Sequence, residues 1–164
     1  MLHNEPHIRE LKRLEVVKIS RGSHVLCLQE VHGLESEVLS TFKLWLPGWK
    51  VWFSGCKSTE GSYLRNMGGV LIAVCPWIAN NAISFDHTVY VDGRLQGLCA
   101  GFANSQQLRI LNVHNHDLSR HQVFAFTDIL NDCLSDDRNA PLNMCSLLIG
   151  DFNFLAGGEG RFLP

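Results

Sequence analysis

The segment LLIGDFNF, residues 147–154, decides how this chain is read. Leu147, Leu148 and Ile149 run straight into Gly150 and Asp151. A buried strand commonly ends in such a turn. Asp151 and Asn153 stand two apart, so in extended backbone they point to the same side, with Phe152 and Phe154 pointing to the other. The pair presents a negative acceptor and a neutral donor-acceptor to one space. That suits a water nucleophile: the carboxylate takes its proton, and the amide holds the water or a phosphate in line. An Asx-type turn without chemistry is the alternative.

Two other polar constellations share this placement at the end of an apolar run. One is Leu28-Gln29-Glu30-Val31-His32 and the other is Leu111-Asn112-Val113-His114-Asn115-His116-Asp117. In open α/β architectures ligands bind just beyond such strand ends. A carboxylate directly after a buried run is costly unless it is paired, solvated or holds a cation. Glu30 therefore suits a hard divalent ion such as Mg²⁺, which takes one or two carboxylates and keeps water and phosphate oxygens elsewhere. The competing reading is a surface glutamate in a loop. His114 is placed to donate to a phosphate oxygen or move a proton, or else is satisfied by polar neighbours. Asn112 is expected to face away from His114 and to be structural. Asp117 serves equally as the cap of a following helix. The letters His114-Asn115-His116 spell HNH, but they end a long strand rather than a ββα-metal hairpin.

The remaining chain alternates in period. Residues 5–20 carry Ile8, Leu11, Leu14 and Val17 at helical spacing, opened by Asn4 and Pro6 and stopped by Gly22. HVLCLQE (24–30) reads as a strand buried on both faces. Residues 34–46 form a helix with Val38, Leu39 and Phe42 inward, and WKVWF (49–53) is a strand. Residues 54–67 read as a loop. Strands are predicted at 67–74, 87–91, 95–102 and 107–115, with turns at Asp92-Gly93 and Asn104-Ser105. Val123, Phe126, Leu130 and Leu134 mark a helix over about 118–134, and CSLLIGDFN is the last strand. The pattern implies an α/β (α+β) fold with mixed sheets rather than a purely parallel one.

The bulk numbers bound the function. With 164 residues the chain supports one domain with a real core. A formal net charge of -2, with only 18% of residues charged, argues against non-specific nucleic-acid binding by bulk electrostatics. It does not exclude a phosphodiester substrate, because a metal ion supplies positive charge locally. Six cysteines (Cys27, Cys56, Cys75, Cys99, Cys133 and Cys145) form no CxxC pair, which argues against zinc. They read as reduced thiols of an intracellular protein of the nucleus or cytoplasm. MLHNEPHIRE lacks the apolar core of a signal peptide, and no apolar run approaches the ~20 residues of a membrane span.

In this order and at these distances, the segments resemble the endonuclease/exonuclease/phosphatase superfamily over nearly the whole chain. VLCLQEVHG resembles the metal-glutamate motif and MGGVLIAV the strand after the variable loop. DGRLQGL resembles the Gly-Arg strand, LRILNVHNHD the motif carrying an active-site Tyr or His, and LLIGDFN the Asp/Asn motif. The resemblance implies a four-layered αββα sandwich with two mixed sheets and Mg²⁺- (or Mn²⁺-) dependent hydrolysis of phosphoesters. It implies Glu30 and Asp151 as metal ligands, Asp151, Asn153 and His114 as the catalytic set, and Asn153, Arg94 and Asp117 as substrate contacts. Asp117 departs from the Asn many nuclease members carry there, and an acid would repel phosphate or hold a metal. The style is closest to the endonuclease domains of non-LTR retrotransposons.

Two family segments are missing from the pattern: a first strand bearing an Asn, and a C-terminal Asp with a Ser-Asp-His stretch. The histidines at 3, 7, 24, 32, 87, 116 and 121 lie in the wrong contexts to replace the latter. A single incomplete domain is therefore expected over 1–164, with weakened activity, since losing one charge-stabilising group commonly costs ~10²–10³ in rate. The leading expectation is a nuclease-like hydrolase acting on nucleic acid, most simply DNA. The alternatives are a phosphatase of the same superfamily acting on lipid or inositol phosphates, and a non-catalytic module that keeps the fold. Lys57, Arg65 and Arg94 suit a phosphate backbone or simply a solvated surface.

Overall fold

A computed structural model of the chain describes residues 5–57, 67–115, 127–128, 131 and 144–151. Helix α1 spans Pro6–Ser20, with proline in its first turn where a missing N–H costs nothing. Strand β1 is Val25–Val31 and helix α2 is Glu35–Trp45. The Leu34 N–H donates to Glu37 Oε2 at 3.1 Å, and Glu35 and Glu37 place negative charge at the positive end of α2. Strands β2 (Lys50–Ser54) and β3 (Gly69–Val74) complete a three-stranded sheet in the order β1-β3-β2.

A short helix α3 (Pro76–Asn81) leads into β4 (Ala82–Val91), β5 (Leu95–Phe102), β6 (Gln107–His114) and β7 (Met144–Asp151). These four strands form a second sheet in sequence order. The turns at residues 92–94 and 103–105 make β4, β5 and β6 antiparallel, whereas β7 lies parallel to β6. A parallel pair needs a long crossover, and the chain between His114 and Met144 supplies the length. The second sheet is thus mixed, as the sequence implied. The first is antiparallel throughout among the described residues, so the expectation of two mixed sheets holds for one of them.

Two apolar clusters hold these layers together. Val16, Val38, Phe42 and Trp45 of the helices pack on Leu26, Val31, Leu71 and Ala73 of the first sheet. Ile72 and Val74 of the same sheet turn the other way, onto Leu98 and Ile110 of the second sheet. The described layers are helix, sheet and sheet. The helix expected over about 118–134, which would make the fourth layer, lies outside the described residues except for Thr127, Asp128 and Asn131, which are helical.

Three expectations need correction. The strand fully buried on both faces is β3, not β1, because β3 is central in its sheet and β1 lies at the edge of the described strands. Helix α3 was not anticipated, since six residues are too few to show a period. Strand β4 begins at Ala82 rather than 87, because the half-buried residues of its first six, Ala82, Phe85 and His87, are spaced by three and then two and show no regular alternation.

Candidate active site

The site is built on a break in β1. Along this strand Leu26 and Leu28 face the helices, while Val25 and Cys27 face the second sheet. Strict alternation would send residue 30 to the helix side. The register instead shifts between Leu28, opposite Leu71, and Val31, opposite Gly69. Gln29 and Glu30 together face one residue of β3, which is a β-bulge. Glu30 takes φ 54°, a left-handed conformation that costs a non-glycine residue on the order of 1–3 kcal/mol. In return Val31 regains the helix side, fully buried, and Glu30 is released from the alternation.

The released carboxylate meets two imidazoles. Its Oε1 lies 3.1 Å from His114 Nε2 and its Oε2 lies 3.0 Å from His32 Nε2. Arg94 stands behind, with NH1 2.8 Å from His114 Nδ1 and 4.0 Å from Glu30 Oε1. A guanidinium only donates, so Nδ1 of His114 accepts and the ring proton sits on Nε2, aimed at Glu30. The backbone repeats the link: the His114 N–H donates to the Arg94 carbonyl at 2.8 Å. Burial pushes the Glu30 carboxyl up, but the hydrogen bond from His32 and the electrostatic pull of His114, His32 and Arg94 outweigh it. The group therefore lies below the ordinary carboxylate value. Its side chain is 52% exposed, against 2% for His114 and 13% for Arg94. An ionised, water-facing carboxylate thus rests on a buried cationic and imidazole base.

Two glycines allow the close approaches. A Cβ on Gly68 would come within 2.6 Å of Glu30 Oε2 and 2.9 Å of its Cα. A Cβ on Gly150 would run into the Val113 carbonyl of the neighbouring strand. Gly150 is the ladder partner of Val113 and Asp151 that of His114, so the GD dipeptide sits flush against the end of β6. The Asn115 N–H donates to the Asp151 carbonyl at 2.8 Å. Asp151 is exposed, at the same end of the parallel β6–β7 pair as His114. On the rim, Cys56 Sγ donates to the Gly68 carbonyl and Lys57 pairs with Asp92 at 3.0 Å. Among the described residues no three His, Cys, Asp or Glu side chains form a ready-made metal-ligand cluster.

Solved structures of known proteins share this architecture. TDP2 from C. elegans superposes with a TM-score of 0.62 at 17% identity, covering 92% of this chain and 45% of that one. An endonuclease/exonuclease/phosphatase family protein from Bacteroides thetaiotaomicron gives 0.57 at 13% identity, covering 88% and 54%. The chain has the endonuclease/exonuclease/phosphatase fold. ANGEL2, described as a 2',3'-cyclic phosphatase, matches with a TM-score of 0.56 at 16% identity, covering 89% and 43%. The chain spans about half the length of these proteins. No sequence-family model and no curated protein sequence matches it.

Within the endonuclease/exonuclease/phosphatase fold of this chain, Glu30, His114 and Arg94 form one connected group, and Asp151 stands beside His114 in the ladder. Asn153 and Asp117 lie outside the described residues. One reading of the sequence falls. Asn112 and His114 share a strand face, being two apart, and Asn112 points into the inter-sheet layer rather than away from it. Its structural character stands, on different grounds. His32, weighed in the sequence only as a stand-in for the missing C-terminal histidine, touches the Glu30 carboxylate. Its sequence signal was its place two residues beyond Glu30, the same-face spacing that singled out Asp151 and Asn153.

Proposed function

We infer that this chain carries the metal-binding half of a phosphoester hydrolase site, with a nucleic-acid phosphodiester as the leading substrate. One observation carries the reading: the Glu30 carboxylate is ionised, half-exposed and seated on His114 and Arg94 beside the end that bears Asp151. The fold supports it, and so does ANGEL2, a 2',3'-cyclic phosphatase built on the same architecture. The retrotransposon style rests on motif spacing alone.

The donor set fits a hard divalent cation, because Mg²⁺ accepts one or two carboxylates and keeps its other positions for water and phosphate. Glu30 and Asp151 would hold it. When bound, such an ion neutralises phosphate charge and lowers the pKa of coordinated water. The protein's own groups do the rest. Asp151 accepts the proton of the attacking water. His114, its proton fixed on Nε2 by Arg94, is oriented for Glu30 or a phosphate oxygen, and Arg94 adds positive charge from behind. Asn153 would hold the water in line with Asp151, and Asp117 would lie at the substrate's edge.

The test pairs Mg²⁺-dependent thermal stability with plasmid nicking, in the parent chain, Glu30→Gln and Asp151→Asn. A bound ion raises the melting temperature by mass action. The expected result is an Mg²⁺-dependent rise and nicking in the parent, both lost in Glu30→Gln, and nicking reduced ~10²-fold or more in Asp151→Asn. Phosphate release from small phosphoesters without nicking would replace the nuclease by a phosphatase. A parent chain with neither an Mg²⁺ response nor hydrolysis would leave a non-catalytic module.

A further inference from the structure

Asn112 is fully buried, and its side chain reaches from the second sheet into the first. Its Oδ1 accepts a hydrogen bond from Gln29 Nε2 at 2.7 Å. Its Nδ2 donates to the carbonyls of Leu28 at 3.2 Å and Leu71 at 2.8 Å. Leu28 and Leu71 are ladder partners, the last pair before the bulge, and Gln29 is the first of the two bulged residues. One amide therefore grips both strands at the break and the residue next to Glu30. On its own strand, Asn112 stands two residues before His114 on the same face.

Apolar packing between the sheets, through Ile72, Leu98 and Ile110, is non-directional and leaves their relative offset loosely set. Hydrogen bonds demand both distance and angle. The grip also sits where directional control matters most, at a bulge holding a left-handed glutamate. A leucine at 112 would fill similar space and make none of these bonds.

We propose that Asn112 and Gln29 are positioning residues: by clamping the β1 bulge to β6 they bring the Glu30 carboxylate and the His114 imidazole together. The clamp itself is independent of the hydrolase reading, on which only its functional consequence rests. In the uniformly ¹⁵N-labelled 164-residue chain, the His114 ring should show a proton on Nε2 and a bare Nδ1. In Asn112→Leu the His114 Nε2–H signal should lose the downfield shift it takes from the Glu30 carboxylate 3.1 Å away, while Arg94 keeps Nδ1 bare and far-UV circular dichroism stays that of the folded chain. Leu98→Ala, a buried change between the same sheets, should lower the melting temperature and leave the His114 pattern alone. A folded Asn112→Leu with the parent pattern overturns the proposal, as does Leu98→Ala shifting the pattern equally. If Asn112→Leu does not fold, Gln29→Met carries the test, since it keeps both carbonyl bonds; an unchanged pattern there overturns the proposal. An Mg²⁺ thermal response in the parent should vanish in Asn112→Leu and persist in Leu98→Ala. A parent without any Mg²⁺ response sinks the hydrolase reading, while the nitrogen signals still decide the clamp.

Discussion

Replacing Arg94 by methionine removes the guanidinium while keeping a side chain of similar reach. His114 is 1% exposed, and its Nδ1 loses the donor now 2.8 Å away. A buried acceptor deprived of its bond costs about 1–3 kcal/mol. Glu30 Oε1 also loses a cation 4.0 Å away, but that carboxylate is half-exposed, so screening limits this to about 0–1 kcal/mol. The apolar methionine offsets part of the loss by packing where Arg94 is 87% covered, as its 13% exposure implies. A net destabilisation of about 2 kcal/mol follows, which in a chain of this size lowers the melting temperature by roughly 4–8 °C. The hydrogen bond from the His114 N–H to the Arg94 carbonyl does not depend on the side chain and should survive. Arg94→Lys should fall between the two, because an ammonium restores charge without the planar fork. The measurement is calorimetric melting of the three proteins at one pH and salt. A methionine variant within about 1 °C of the parent would refute the claim that Arg94 props the site from beneath.

Two further outcomes are expected. Gly68→Ala forces a methyl group against Glu30 Oε2 and its Cα, and the backbone atom cannot swing aside. Overpacking of this kind costs about 1–3 kcal/mol, so a lowered melting temperature and a weaker Mg²⁺ response should appear together; unchanged values for both would show that the glycine is incidental. Burial pushes the Cys27 thiol from the ordinary 9.0 to about 12. Its neutral form is favoured by folding, so the contribution is whole below pH 9 and drains away as pH rises toward 12, by up to about 4 kcal/mol. Urea titrations from pH 8 to 11 should show the parent losing stability relative to Cys27→Ala. A pH-independent difference between the two proteins would contradict this.

The sequence by itself carried the local facts. The helical spacing of Val38, Leu39 and Phe42 makes α2, and the turn at Asp92-Gly93 makes β4 and β5 antiparallel neighbours. Apolar runs ending in acids and amides marked where polar chemistry gathers, and the ordered motifs marked the fold. These are short-range signals, written in periodicity and turn chemistry. Tertiary structure decided what no window of sequence contains. The bulge exists because β1 and β3 pair out of step, and it alone frees Glu30 from the helix side, so that His114 and His32 both reach its carboxylate. Asn112 was set aside as facing away from His114, although strand parity puts the two on one face; the clamp it makes was beyond any window, because Leu28 and Leu71 lie 84 and 41 residues away in sequence. The proton on His114 depends on an arginine from a different turn. Residue types follow from the chain, but which of their atoms come within 3 Å depends on how two sheets are set against each other.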